Sequence, residues 1–325
     1  MAVFTEVSFD EAAALVARLG IGRLERLEGI VAGIENTNYF ADTDRGRYVL
    51  TIFERLTAEQ LPFYLYLMQH LAGRGIPVPA PHADATGELL HTLRGKPAAL
   101  VDRLRGAHEL APDARHCAAV GATLARMHLA GLDFPRRQPN LRGLAWWRET
   151  VPLLRPFLDA GQRTLIESEL AFQEHLAVTP AFEALPAGPI HADLFRDNVM
   201  FDPDGTLTGF FDFYFAGTDT WLFDIAVCLN DWCIDLESGR LVDQRACAFV
   251  SAYDGVRRLE TQELRLMPAL MRAAALRFWI SRLWDFHLPR DAAMLQAHDP
   301  AHFERVLRAR VDTPWHFTPQ GAIAP

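Results

Sequence analysis

The chain has 325 residues, half of them hydrophobic, and a formal net charge of −9 at pH 7. That length suits one large or two ordinary domains with a sizeable core, and the acidic balance argues against a nucleic-acid polyanion as partner. The most hydrophobic stretch, 267–284, is broken by Arg272, Arg277 and Arg282, so no membrane span is expected.

Ser8-Phe-Asp-Glu11 has the form of a capping box and predicts a helix with Ala12, Leu15, Val16 and Leu19 on one face, stopped by Gly20. Residues 27–40 read as two strands around a glycine-bearing bend at Gly29 and Gly33, followed by a turn at Asp42–Gly46 and a third strand, Arg47–Phe53. Leu61, Leu65, Met68 and Leu71 mark a helix that starts near Leu61, because Pro62 sits too deep in any helix begun at Thr57. Gly75–Pro81 is an extended connection, Gly87–Thr92 and Pro97–Arg103 read as strands, and Leu104–Gly106 as a hinge. From about 107 the periodicity is helical: Pro112–Gly131, with His128 as a core or capping residue, then Trp146–Leu158 and Gln162–Leu176. Beyond a hairpin at 188–213, a helix beginning at Thr218 is expected, then helices over Asp243–Tyr253, Glu260–His287 and 290–310, and a frayed tail. No signal peptide is evident near Glu6, Asp10 and Glu11. Cys117, Cys228, Cys233 and Cys247 lack CxxC spacing and read as buried thiols of a cytoplasmic chain.

The hairpin carries the chemistry. Val199–Phe201 and Leu207–Phe211 flank Asp202-Pro-Asp-Gly205, with Asp193 and Asn198 just before the first strand and Asp212 at the end of the second. Phosphoryl transfer asks for such a set: one carboxylate to take the proton of an attacking hydroxyl, and an Asn with an Asp to hold Mg²⁺ on nucleotide phosphates. An isolated D-x-x-x-x-N is usually a pair of loop polar groups. Here His191 precedes it by two residues and an apolar neighbour follows Asp212. His191-Ala-Asp193 resembles the aminoglycoside-phosphotransferase and choline-kinase branch. That resemblance implies Asp193 as catalytic base, Asn198 and Asp212 as metal ligands, and His191 as an orienting residue.

The order of elements then reads as an α+β, two-lobed protein-kinase-like fold: a small mixed β-sheet lobe, 1–104, covering the nucleotide, and a large, mostly helical catalytic lobe, 105–325. ATP contacts are expected from Gly33, Asn36 and Asn38 at the covering loop, from Thr51, and from the hinge at Asp102 and Leu104, where main-chain groups suffice for adenine. One feature departs from most kinases. Thr51 stands where the third strand usually carries a Lys, the helix after it has no Glu, and Lys96 is the single lysine of the chain.

Gly33-Ile-Glu-Asn-Thr-Asn-Tyr-Phe, Tyr48-Val-Leu-Thr-Ile-Phe-Glu, Leu61-Pro-Phe-Tyr-Leu-Tyr-Leu-Met, His191-Ala-Asp-Leu-Phe-Arg-Asp-Asn and Ala275-Leu-Arg-Phe-Trp-Ile-Ser-Arg-Leu-Trp-Asp resemble the bacterial homoserine kinases of the aminoglycoside-phosphotransferase fold. The resemblance implies ATP- and Mg²⁺-dependent phosphorylation of the L-homoserine side-chain hydroxyl, for threonine synthesis. A small zwitterionic acceptor needs a cation for its carboxylate and an acidic or carbonyl cluster for its ammonium. Arg282 is the first candidate and Arg277 the second, with Asp285, Tyr214 and Asp231 as further contributors. The same helix also fits a reading in which Arg282 and Asp285 form a surface ion pair and the tryptophans are core. Two functions compete: a kinase for choline, an aminoglycoside or a methylthiosugar, and a catalytically inactive nucleotide-binding scaffold.

Overall fold

Ser8 and Glu11 exchange the expected capping hydrogen bonds, Glu11 N–H to Ser8 Oγ at 3.3 Å and Ser8 N–H to Glu11 Oε2 at 2.9 Å, and so start α1 (Phe9–Leu19). Gly20 ends it in the left-handed conformation, at φ 67°. The computed structural model describes residues 5–30, 36–288 and 298–318. Gly33, the 290–297 part of the last expected helical stretch, and the tail from 319 lie outside the described residues.

The chain divides into two compact units, Met1–Gly106 with Thr208–Tyr214, and Ala107–Leu207 with Phe215–Pro325. The first contains β1 (Leu24–Gly29), β2 (Asn36–Thr43), β3 (Arg47–Phe53), α2 (Leu61–Gly73), β4 (His91–Leu93) and β5 (Lys96–Asp102). Its sheet runs β1-β2-β3-β5-β4, and every pairing is antiparallel. The mixture in this lobe is therefore of helix and strand, not of strand directions. Side chains alternate across it: Tyr39, Ala41, Tyr48, Leu50, Ile52, Ala98 and Leu100 pack on Ala12, Leu15, Val16 and Leu19 of α1. Thr51 and Asn38 consequently point to the opposite face. The strand expected over Gly87–Thr92 is confined to His91–Leu93, because Asp84 N–H and Glu88 C=O close a turn around Gly87 at φ 88°. Thr208–Tyr214 joins this unit through Phe210 N–H to Pro77 C=O, 2.9 Å. Gly209 permits the approach, since a Cβ there would lie 2.7 Å from the Pro77 oxygen.

The second unit contains α3 (Ala114–Ala130), α4 (Leu144–Leu154), α5 (Ala160–Ala177), α6 (Pro180–Glu183), β6 (Ala187–Ile190), β7 (Val199–Phe201), the start of β8 (Leu207–Phe210), β9 (Gly217–Thr220), α7 (Trp221–Trp232), α8 (Asp243–Val256), α9 (Thr261–His287) and α10 (Ala301–Asp312). α3 and α8 pack so closely at Gly121 that a Cβ there would overlap the Phe249 carbonyl. The helix expected from Thr218 begins only at Trp221. Gly217–Thr220 is instead a strand, paired antiparallel with Ala187–Ile190 in the register Ile190↔Gly217. That pairing carries the chain directly into His191. α7 is buried at every position, as a central helix should be. All four cysteines are free thiols; Cys247 is only partly buried.

Candidate active site

One face of α7 holds the loop 191–198. Asp224, Cys228, Asp231 and Trp232 are spaced i, i+4, i+7 and i+8, a single helical stripe. Asp224 accepts the His191 N–H through Oδ2 and the Ala192 N–H through Oδ1, both at 2.8 Å. Cys228 Sγ and Trp232 Nε1 both donate to the Leu194 carbonyl. Asp231 Oδ2 accepts the Arg196 N–H at 2.8 Å and its Nε–H at 3.1 Å, while Arg196 Nη1 reaches Leu110 C=O at 2.9 Å. Ala192 sits at φ 64°, a costly region for a residue with a Cβ, and the two bonds to Asp224 hold it there.

Asp224 is itself held from below. His128 Nε2–H donates to it at 3.1 Å, and His128 Nδ1 accepts from the Tyr253 hydroxyl at 2.8 Å, with Trp221 stacked on the imidazole at 5.3 Å. His128, Tyr253 and Asp224 are fully buried. Burial keeps His128 neutral by lowering its pKa, although Asp224 pulls the other way. The Asp224 carboxyl lies below its ordinary value: burial opposes this, and the His128 bond with the His191 amide outweighs it. The sequence reading placed His128 correctly in the core or as a cap, but missed Asp224 and Arg196. The polar stripe at 224, 228 and 231 in an otherwise apolar helix was the available signal.

The loop brings Asp193 and Asn198 together. Asn198 Nδ2 donates to Asp193 C=O at 2.7 Å and approaches Asp193 Oδ2 at 3.3 Å, across a 3₁₀ turn over Arg196–Asn198. His191 is fully buried, and its Nδ1 accepts the Asp193 N–H at 3.3 Å. Arg277 of α9 approaches from the other side, Nη1 to Asp193 Oδ1 at 3.7 Å. It is buried, and burial lowers its pKa to about 10, which leaves it cationic at neutral pH. Arg282 is partly exposed, with its guanidinium 5.8 Å from the Phe303 ring centroid. Asp285 is exposed, and Trp279 lies in the core. Asp231 is buried on Arg196.

In the first unit, Thr51 and Asn38 are cross-strand partners, and Thr51 Oγ1 donates to Asn38 Oδ1 at 2.7 Å. Tyr214 packs edge-on against Phe53 at 5.0 Å and Tyr64 at 6.0 Å, with Thr51 beside its hydroxyl. Its enclosure, with Asp212 nearby, raises its pKa well above the ordinary tyrosine value. Asp212 is exposed and held at φ 62°. Asn36 opens β2 opposite Phe53. Asp102 ends β5, its carboxylate 2.7 Å from His82 Nε2, and Leu104 packs by Gly209. Lys96 does not stand in for the missing third-strand lysine: its ammonium is bound by Glu54 and by Thr5 Oγ1.

Among the described residues no three His, Cys, Asp or Glu side chains converge on a metal position. A hard cation on nucleotide phosphates needs few protein ligands, all oxygens. Asn198 fits this: with its amide nitrogen committed to Asp193, its carbonyl oxygen is the atom left to meet a cation. Asp212, an exposed carboxylate on a constrained backbone, fits as well.

Residues 26–259 match the model of the phosphotransferase enzyme family. The chain belongs to that family. A homoserine kinase of Polaromonas naphthalenivorans (strain CJ2) is 68% identical over 315 residues, covering 97% of this chain and 99% of that protein. A homoserine kinase of Janthinobacterium sp. (strain Marseille) is 56% identical over 323 residues, 99% and 100% of the two chains. Among solved structures, an amicoumacin kinase in complex with AMP-PNP and Ca²⁺ superimposes with a TM-score of 0.68 at 18% identity, over 94% of this chain and 93% of the other. A Plasmodium vivax ethanolamine kinase gives a TM-score of 0.60 at 14% identity, over 87% and 82%. The α+β kinase-like fold and the family resemblance expected from the sequence are both borne out, and membership makes the chain a phosphotransferase. Among the described residues no helix is long and apolar enough to cross a membrane.

Proposed function

We propose that the chain transfers the γ-phosphoryl group of ATP to the side-chain hydroxyl of L-homoserine, giving O-phospho-L-homoserine for threonine synthesis in the cytoplasm. The observation that carries this is the 68% identity to a homoserine kinase over almost the whole length of both chains. The hydroxyl oxygen attacks phosphorus, its proton passes to an Asp193 carboxylate oxygen, and ADP leaves. His191 and Asn198 act as positioning residues for Asp193, through its amide and its carbonyl. Asn198 and Asp212 are the proposed holders of Mg²⁺, which supplies charge neutralisation at the phosphates when bound. Asn36, Asn38 and Thr51, with Gly33, are assigned to the nucleotide phosphates, and the main chain from Asp102 to Leu104 to adenine, with Leu104–Gly106 as the hinge.

Three residues take other roles in this reading. Asp231 is given to anchoring Arg196 and Tyr214 to bracing the Asp212 segment against β3, while Asp285 is too exposed to shape a pocket. A scaffold role fits poorly with a helix stripe devoted to holding Asp193 and Asn198 in place. An ADP-release assay with L-homoserine, choline, ethanolamine and an aminoglycoside tests the reading. L-Homoserine should be the fastest acceptor, and a faster rate with any other would overturn it.

A further inference from the structure

We infer that Arg277 and Trp284, on one face of α9, receive a carboxylate of the acceptor, so that the site is built for hydroxy compounds carrying that anion. This rests on the kinase reading above and deepens it. Arg277 is only 3% exposed, yet its Nε and Nη2 have no hydrogen-bond partner among the described residues. Burying guanidinium N–H groups without acceptors is strongly unfavourable, so such groups call for a partner such as water, an ion or a ligand. Nε and Nη2 form the side-on fork that takes both oxygens of a carboxylate at once. The remaining terminal nitrogen, Nη1, is the one facing Asp193 at 3.7 Å. One guanidinium therefore spans from the base to an anion-receiving edge, which suits a short hydroxy acid with its hydroxyl at Asp193.

The surroundings support the same chemistry. The guanidinium lies 3.7 Å from the Phe278 ring centroid and 5.1 Å from that of Phe215, so aromatic walls flank it. Trp284 lies two helical turns further along the same face, and its indole Nε1 is likewise buried without a partner among the described residues. It packs on Trp146, whose ring is covered by the Arg142 guanidinium at 4.3 Å. Donors and cations gather here, Arg277, Arg142, Arg282 and the Trp284 indole, beside two carboxylates, Asp193 and the exposed Asp285. A cationic acceptor head group would want the opposite. Arg282, favoured by the sequence reading, lies five residues from Arg277, roughly 140° round the helix; it too feels the charge of Asp193, but it is less buried and packs toward Phe303.

The test compares L-homoserine with L-homoserine amide, which keeps the hydroxyl and shape but loses the charge, on wild type, Arg277→Met and Arg277→Lys. Arg277→Met keeps an unbranched stem and removes the unpaired donors; thermal unfolding and Mg·ATP affinity confirm that it folds. Wild type should prefer homoserine in kcat/KM by about 10²-fold or more, the scale set by a site left with unpaired buried donors. Arg277→Met should lose that preference to within a few-fold, by a rise in homoserine KM, with ATP KM unchanged. Arg277→Lys, with charge but no fork, should fall between. A wild-type preference that persists in Arg277→Met overturns the inference. Equal use of acid and amide by wild type overturns it too, while leaving the kinase reading standing. No turnover of homoserine by wild type refutes both, and that is seen before any variant is made.

Discussion

Asp224 Oδ1 accepts the amide of Ala192 at 2.8 Å, and Ala192 is the residue held at positive φ immediately before Asp193. A buried carboxylate on α7 therefore sets the backbone from which Asp193 projects. Asp224→Ala would orphan two loop amides and the His128 N–H at once. It should cost about 3–5 kcal/mol of stability, the range for breaking a buried charged contact. Asp224→Asn keeps the shape but cannot accept all three donors. It should fold, with kcat lowered at least about 10-fold and KM for ATP little changed. Urea unfolding and steady-state kinetics on the two variants check this; unchanged kcat in Asp224→Asn contradicts it.

Asp212 is exposed and backbone-constrained, as a ligand on a hairpin end should be. Asp212→Asn removes a charge from the proposed cation position without removing bulk. Activity should fall by about 10²-fold or more, and the Mg²⁺ concentration for half-maximal nucleotide binding should rise. Titrating Mg²⁺ at fixed ATP with a fluorescent nucleotide reads this directly. A wild-type Mg²⁺ requirement in the variant removes Asp212 from the metal site.

Acid should destabilise the fold before it protonates most carboxylates. Burial lowers the pKa of His128, and lowers that of His302 to about 4, so between the folded and unfolded values the unfolded chain binds more protons. The stability they contribute is complete above about pH 6.5, the ordinary histidine value, and is lost as pH falls. Each should contribute at most ~1.4 kcal/mol per pH unit. Tm measured from pH 7.5 to 5 should fall for wild type and fall less steeply for His302→Gln. Equal slopes contradict the assignment.

The fold was legible where one physical signal acted alone. Ser8–Glu11 capping, the Leu61 start beside Pro62 and the Asp202–Gly205 turn all appear as read, because local chemistry decides them. Thr218–Thr220 was misread as helix because its strand partner, in Ala187–Ile190, lies some thirty residues away. Asp193 and Asn198, whose juxtaposition is local, stood out through their spacing combined with His191, the hairpin and Asp212. Spacing could not rank Arg277 over Arg282. Both feel Asp193; they differ in burial and in the rings each guanidinium meets, Phe215 and Phe278 against Phe303, and that is decided by tertiary packing. Asp231 looked like an acceptor contact because its partner, Arg196, sits 35 residues earlier in the chain.

The central claim is that Asp193 takes the proton of the L-homoserine hydroxyl as that oxygen is phosphorylated. Single-turnover formation of O-phospho-L-homoserine, followed by mass spectrometry in wild type and Asp193→Asn, tests it most directly. Wild type should convert L-homoserine and ATP stoichiometrically to the phosphate ester and ADP. Asp193→Asn should bind Mg·ATP as wild type does and form the ester about 10²–10⁴-fold more slowly, the scale for removing a positioned base. Ester formation at the wild-type rate by folded Asp193→Asn would contradict the account.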